Sequence, residues 1–429
     1  MERGAPTHRR VEIYALRRTL SPVTTSLAKD RIRVLLLEGI HDNAVRVFRG
    51  AGYTNVERRT GAVPEADLPG VLADVHILGI RSRTQLTADV LAAADKLVAV
   101  GAFCIGTNQI DLDAATERGV AVFNAPFSNT RSVAELVLAQ AILLLRRVPQ
   151  KNAQAHRGEW AKGVDGAREI RGKTLGVVGY GNIGAQLSVL AEGLGMRVLF
   201  HDTSEKLPLG NARPVAGLSE LLAESDVVTL HVPDTPETRG LIDADRLAEM
   251  KDGAVLINAS RGTVVDLGAL AAELRAGRLA GAAVDVYPKE PRAAGDAFET
   301  PLQGVDTAIL TPHIGGSTVE AQQNIGAEVA GKLVRYSDNG STESSVNLPE
   351  VALPPHGGHR ILHVHENRPG VMAAVNGVLS DIGANVQAQF LQTRGAVGYV
   401  VTDLDREASA EALEALRGVD GTIRARVLF

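Results

Sequence analysis

From Arg31 onward, short apolar runs alternate with stretches of helical spacing, the pattern of an α/β protein built on parallel sheets. Apolar runs over 34–37, 75–78 and 97–100 predict buried strands, each followed by a turn or helix, and none of them leads into a glycine-rich phosphate loop. A helix predicted over 133–148 introduces a second series of strands at 174–178, 197–200, 227–231, 254–258, 281–284 and 307–310. Six strands with crossover helices are enough for a full dinucleotide-binding sheet. Helical spacing returns over 318–336, and its position suggests a return to the first block. The expected fold class is therefore α/β, with two interleaved Rossmann-like domains and a cleft between them.

The texture then changes. Asp338-Asn339-Gly340-Ser341 and Pro354-Pro355-His356-Gly357-Gly358 carry turn and hinge chemistry, and the remaining segment reads β, α, β, β, α, β over 360–365, 371–382, 386–391, 398–404, 408–416 and 422–428. This divides the chain into a substrate-binding domain (31–128 with 317–350), a nucleotide-binding domain (129–316), a linker (351–358) and a terminal ferredoxin-like domain (359–429). Residues 1–30 contain arginines and serines but no apolar core or small-residue cleavage site, so they are expected to form a flexible extension without chemistry.

Composition narrows the partners. With 45 Lys plus Arg against 50 Asp plus Glu, the net charge of −5 gives no reason to expect nucleic acid or an anionic membrane. The most apolar stretch, 133–145, is too short to cross a bilayer and is interrupted by Glu135 and Gln140. A single cysteine, Cys104, excludes an intramolecular disulfide framework and suits a reducing cytoplasm.

Candidate chemistry begins at Gly179-x-Gly181-x-x-Gly184, which follows the apolar strand Leu175-Gly176-Val177-Val178 and opens a helix near Asn182. That context separates a dinucleotide fingerprint from incidental turn glycines: Gly179 permits the tight turn, Gly181 lets the backbone approach a pyrophosphate, and Gly184 allows close helix packing. The helix N-terminus supplies unpaired amides to the phosphates. Asp202, at the end of the next strand, can accept hydrogen bonds from both ribose hydroxyls and would repel a 2′-phosphate, which favours NAD over NADP.

His313, just before Gly315-Gly316, suits removal of a hydroxyl proton alongside hydride transfer, because imidazole exchanges a proton near neutral pH. Glu290 can fix its tautomer and favour the imidazolium, and the planar fork of Arg261 can hold a substrate carboxylate with two hydrogen bonds. Each alone could be a surface charge. Downstream of a nucleotide fingerprint, they make the parts of a 2-hydroxy acid dehydrogenase, and no residues are assigned to a metal.

Several segments are specific enough to carry a resemblance: Arg81-Ser82-Arg83-Thr84, Phe103-Cys104-Ile105-Gly106-Thr107-Asn108, the run 124–135 beginning Asn124-Ala125-Pro126, Asn258-Ala259-Ser260-Arg261-Gly262 and His313-Ile314-Gly315-Gly316-Ser317-Thr318. Through them the chain resembles the D-isomer-specific 2-hydroxyacid dehydrogenases over nearly its whole length. The resemblance places Arg261, Glu290 and His313 on the family's catalytic positions. It implies an NAD-binding set of Gly179, Gly181, Asn182, Ile183, Gly184, Asp202, Ala259, Ser260, Arg261, Asp285, His313, Gly315 and Gly316. On residue type alone, Arg81 and Arg83 fit a solvated basic turn as well as a phosphate site. Similar enzymes use this Arg-Ser-Arg segment (Arg81, Ser82, Arg83) with Asn129 at the substrate, and bring Trp160-Ala161-Lys162 towards a neighbouring subunit's cleft. One departure is Thr60, where a close relative has a lysine near the cleft.

The terminal segment, with its turn His365-Glu366-Asn367-Arg368-Pro369-Gly370, resembles an ACT domain, a small regulatory module that binds amino acids between paired copies. The resemblance implies L-serine as effector at His365, Asn367 and Asn385, although asparagines also favour plain turns. Paired modules and a second contact through the nucleotide domains imply a homotetramer. The implied reaction is NAD-dependent oxidation of 3-phospho-D-glycerate to 3-phosphooxypyruvate, with feedback inhibition by L-serine and a side activity that reduces 2-oxoglutarate. Two alternatives stay open: a dehydrogenase for another 2-hydroxy acid, and a non-catalytic sensor of NAD and amino acids.

Overall fold

Five parallel strands, β1 (Val34–Leu36), β2 (Val56–Arg58), β3 (Ile77–Ile80), β4 (Ala99–Ala102) and β5 (Ala121–Asn124), form the first sheet in the order β2-β1-β3-β4-β5. The computed structural model describes residues 27–291, 295–354, 359–404 and 409–428, so most of the expected N-terminal extension and the Gly357-Gly358 hinge lie outside the described residues. The central strands are apolar and fully buried, as expected for strands covered on both faces. Strands β3 and β4 start two residues later than the apolar runs that predict them. Val75 and Leu97 are buried in the turns that precede pairing, each amide bonded to the carbonyl three residues back, so burial starts before the ladder does. Strand β2 was not anticipated because Val56-Glu57-Arg58 is a half-exposed edge with no apolar run.

The second sheet contains β6 (Thr174–Val178), β7 (Arg197–His201), β8 (Arg213–Pro214), β9 (Val227–Leu230), β10 (Val255–Asn258), β11 (Gly281–Val284) and β12 (Ala308–Leu310), all parallel, in the order β12-β11-β10-β9-β6-β7-β8. Strand order reverses between β6 and β9, and the glycine fingerprint lies directly after β6 at that switch point. The helix Thr130–Leu145 packs on β10, β11 and the helix Asn182–Gly193, burying Val133, Val137, Ala141 and Leu144. It stops short of the expected residue 148. Pro149 lacks an amide hydrogen and its ring would clash with the carbonyl of Leu145, so Arg147 turns left-handed (φ 57°) and a new helix, Val148–His156, begins.

The helix Val319–Asn339 carries the chain back to the first sheet, packing on the helix Asp42–Gly50 and on β4 and β5. Thr318 caps its start by accepting from the amide of Ala321 at 3.1 Å, and Gly340 closes its end with φ 82°.

The third sheet is antiparallel: β13 (His359–Glu366), β14 (Val386–Arg394), β15 (Val397–Leu404) and β16 (Thr422–Leu428), in the order β14-β15-β13-β16. Helices Val371–Asp381 and Ser409–Arg417 cover one face through Val375, Leu379, Leu413 and Leu416. The other face packs against the first-sheet domain. Leu362, Val364, Tyr399 and Val401 share one core with Phe123, Leu333 and Tyr336 of the first-sheet domain. The Tyr399 hydroxyl donates to the Gly340 carbonyl at 2.6 Å, and the buried Arg360 pairs with Asp403 at 2.6 and 2.8 Å while donating to the carbonyls of Asn339 and Pro354. Edge strand β14 is mostly exposed. No helix among the described residues is long and apolar enough to cross a membrane.

Candidate active site

The turn after β12 carries His313 and is organised by one buried carboxylate. Asp285, at the end of β11, accepts from the amides of Ile314 (2.9 Å) and Gly315 (2.8 Å) and from the hydroxyl of Thr311 (2.6 Å). These bonds hold His313 at φ 55°, a left-handed conformation unusual for a side chain larger than glycine. Its Nδ1 lies 2.8 and 3.0 Å from the two oxygens of Glu290, which leaves Nε2 free to face a ligand. Glu290 is fixed in turn by the amide of Tyr287 at 3.1 Å. The hydrogen bond to Glu290 raises the pKa of His313; burial and the positive charge of Arg261 work against that, while the charges of Glu290 and Asp285 add to it. Burial opposes ionisation of Glu290, but the bond and charge of His313 hold its pKa below the usual range. The pair is therefore a carboxylate supporting an imidazole that readily holds a proton.

Arg261 reaches the same loop because Gly262 lets two backbones meet. A Cβ on Gly262 would lie 2.0 Å from the Tyr287 carbonyl carbon and 2.2 Å from its oxygen, so no other residue fits without moving the 287–290 segment. Asn258, buried at the end of β10, accepts from the amide and hydroxyl of Ser260 and donates to the Arg261 carbonyl, fixing the turn. Arg261 is half-buried, with one guanidinium nitrogen on the Ser260 carbonyl at 2.7 Å.

At the nucleotide fingerprint, Gly179 takes φ 91° and a Cβ there would lie 2.5 Å from the His231 carbonyl; a Cβ on Gly184 would lie 2.4 Å from the Gly179 carbonyl. Gly181, the residue before the helix Asn182–Gly193, has no atom near its missing Cβ, and it and Asn182 are exposed. That is open space beside free helix amides, as a pyrophosphate requires. Ile183 and Ala259 are partly buried against the same core. Asp202 ends the β7 turn, accepting from the amide of Tyr180 (2.8 Å) and from Ser204. Burial opposes its ionisation, but the Ser204 and Tyr180 bonds hold its pKa below normal, so it is a carboxylate acceptor. These residues fit NAD.

Two residues were missed by sequence reasoning. His231, after β9, is half-buried with its Nδ1 out of solvent and unpartnered, and desolvation pushes its pKa down to about 4, so it stands neutral behind the Gly179 turn. Glu38, after β1, is buried at φ 59°, and its carboxylate accepts from the amides of Arg81 (3.1 Å), Arg83 (3.0 Å) and Thr84 (2.9 Å). Burial opposes its ionisation, but the amides of Thr84, Arg83 and Arg81 keep its pKa below normal. Glu38 thus shapes the Arg81-Ser82-Arg83 turn, and its carboxylate also lies 3.7 Å from the guanidinium of Arg83. The only local sign in the chain is a carboxylate between a strand and Gly39.

The structure places the remaining candidates apart from the His313–Glu290 pair or beside it. Asn129 lies against the Gly315-Gly316 turn, its amide nitrogen 2.2 Å from where a Gly316 Cβ would be, and its Oδ1 is buried without a partner. Trp160 and Lys162 are exposed on the loop after the helix Val148–His156, with 89 % of Trp160 open to solvent. In the third sheet, His365 is buried beneath Gly398 with Nε2 unpartnered and Nδ1 at 2.9 Å from the Glu366 carbonyl. Asn367 donates to the Gly395 carbonyl at 2.9 Å, and Asn385 is exposed.

Residues 138–315 match the family model for the NAD-binding domain of D-isomer specific 2-hydroxyacid dehydrogenases, and residues 361–424 match that of the AHAS small subunit-like ACT domain. The D-3-phosphoglycerate dehydrogenase of Escherichia coli is 58% identical over 406 residues, covering 94% of this chain and 99% of that protein. Among solved structures, a D-lactate dehydrogenase from Sporolactobacillus is 32% identical with a TM-score of 0.63, covering 75% of this chain and 100% of its own. A D-lactate dehydrogenase from Aquifex aeolicus, complexed with NAD and lactic acid, is 28% identical with a TM-score of 0.60, covering 71% and 95%.

Proposed function

The chain belongs to the D-isomer-specific 2-hydroxyacid dehydrogenases, in their D-3-phosphoglycerate dehydrogenase branch, and from that membership we propose that it interconverts 3-phospho-D-glycerate and 3-phosphooxypyruvate, using NAD. NAD, when bound, accepts the hydride from C2 or returns it. Nε2 of His313 takes the hydroxyl proton in oxidation and gives it back in reduction, while Glu290 on Nδ1 fixes the tautomer and stabilises the imidazolium. Arg261 grips the substrate carboxylate. That carboxylate also neutralises a cation that disfavours protonation of His313, so substrate binding strengthens the base. Gly181, Asn182 and Asp202 hold the cofactor, Asp285 positions the catalytic turn, and Asn129, Ser82, Arg81 and Arg83 hold the phosphorylated end, joined by Lys162 of a neighbouring subunit. The observation that carries this reading is the 2.8 Å bond between His313 and Glu290 beside the half-buried Arg261.

The packing of the two long helices supports a division in which residues 31–128 with 317–350 bind substrate, 129–316 bind NAD, and 359–429 regulate. L-serine, bound between paired ACT domains at His365, Asn367 and Asn385, inhibits the enzyme. The unpartnered Nε2 of His365 and the exposed edge strand β14 support that site and its pairing. The assembly is a homotetramer in the cytoplasm, and 2-oxoglutarate is a secondary substrate. NADH oxidation with 3-phosphooxypyruvate, measured with and without L-serine, tests this: rapid turnover suppressed by serine is expected. No turnover overturns the reaction, and turnover indifferent to serine overturns the regulatory part.

A further inference from the structure

A cavity of about 830 Å³, with no residue of the His313 turn in its lining, lies between the first-sheet domain and the small terminal domain. Its walls carry seven Lys or Arg residues against two Asp, in a chain whose net charge is −5. Both walls are basic. Lys29, Arg31, Arg33 and Lys96 come from the first domain, with Asp74 and Asp338; Arg417, Arg424 and Arg426 come from the small domain.

The two acids are already engaged. Asp338 is held by Lys29 at 2.7 Å and by the Tyr53 hydroxyl at 2.7 Å, and Asp74 pairs with Lys96. Arg33 pairs with Glu57, and Arg424 donates to the carbonyls of Leu97, Arg118 and Asp95. Arg417 pairs with Glu414 at 2.5 Å, whereas Arg31 and Arg426 make no ion pair among the described residues. Arg426 lies over the Tyr336 ring at 5.5 Å, and its Nη1 is buried with no hydrogen-bond partner, a cationic donor withdrawn from water and left unfilled. Other groups register the excess charge. Burial first, then Lys96 and Arg426, push the pKa of His76 down, and burial first, then Arg426, does the same to the half-buried Arg424.

Two surfaces of like charge meeting across a cleft repel, and a multiply charged anion between them removes the repulsion while filling the orphaned donor. We propose that this cleft binds a small anion carrying two or more negative charges, phosphorylated or polycarboxylate, which bridges the small domain to the first-sheet domain. Guanidinium forks suit either head group, and the cavity is large enough for a small metabolite.

The test is calorimetric titration of the NADH-saturated full-length protein with inorganic pyrophosphate and, separately, citrate. One probe is expected to bind saturably and more weakly as NaCl rises, and the tighter of the two identifies the head group. Arg31→Ala with Arg426→Ala should weaken that binding on the order of tenfold while leaving turnover unchanged. Arg81→Ala with Arg83→Ala should leave it intact, which separates this cleft from the substrate site. Should the double variant fold poorly, Arg31→Glu reverses an exposed charge and should weaken binding as well. The proposal falls if the parent binds neither probe, if the Arg31 and Arg426 variants bind like the parent, or if binding vanishes with Arg81 and Arg83.

Discussion

The two parallel sheets offer ligands at the same ends of their strands but shape the offering turns in opposite ways. In the second sheet, Gly179, Gly184 and Gly262 let backbones approach each other to distances a Cβ forbids, so amides and carbonyls themselves line the site. In the first, the turn after β3 is shaped by Glu38, whose buried carboxylate consumes the amides of Arg81, Arg83 and Thr84. A turn that spends its amides internally has only side chains to present. The difference makes one sheet suited to backbone recognition of a pyrophosphate and the other suited to side-chain recognition of a substrate's charged end.

The strongest way to break this contrast is to give a glycine-shaped turn a side chain. Gly262→Ala puts a Cβ against backbone atoms of Tyr287 and Pro288, so the segment carrying Glu290 must move relative to Arg261. Displacement of about 1 Å at a catalytic group costs on the order of 10²-fold, and kcat/KM for 3-phosphooxypyruvate should fall by that much, with NADH binding by fluorescence retained. Activity close to the parent would mean that the approach of the two backbones does not set the geometry.

The contrast also explains what could be read from the chain alone. Glycine-shaped turns are legible because glycine itself is the signal, and Arg261, Glu290 and His313 stand at strand ends where reactive side chains are looked for. Glu38 is not legible: after Leu35-Leu36-Leu37 it looks like the solvated end of a strand, and only the fold shows it buried under a turn 43 to 46 residues away. Edge strand β2 was hidden by its charges, and the break at Arg147 lay in Pro149, just beyond the apolar run that predicts the helix. The basic interdomain cleft could not be seen at all. Its cations are scattered from Lys29 to Arg426, and their surplus is cancelled in the overall charge.

A smaller effect is expected at the pair that joins the glycine-shaped turns. Glu290→Gln removes the charge that raises the pKa of His313. Reduction of a 2-oxo acid needs the imidazolium, so it runs fully below that raised pKa and fades as pH rises through it. In the variant the fade should come at lower pH, and oxidation, which needs neutral imidazole, should switch on at lower pH. The loss at the optimum should be on the order of tenfold. Identical pH profiles for variant and parent would mean that Glu290 only packs against the ring.

The smallest change, and the one that isolates the first sheet, is Glu38→Gln. The amide keeps the volume and one acceptor oxygen, but its NH₂ group faces amide donors that the second carboxylate oxygen had satisfied, so the Arg81-Ser82-Arg83 turn loosens while the second sheet is untouched. If that turn serves the phosphorylated end of the substrate through its side chains, KM for 3-phosphooxypyruvate should rise about fivefold with kcat nearly unchanged, the pattern of lost uniform binding. The unphosphorylated analogue 3-hydroxypyruvate should show no such rise. Equal losses for both substrates, or a loss confined to kcat, would make Glu38 a general stabiliser of the fold and remove the division of labour between the sheets. A loss confined to the phosphorylated substrate ties a buried carboxylate in the first sheet to the choice among 2-hydroxy acids, which the chemistry proposed for Arg261, Glu290 and His313 leaves open.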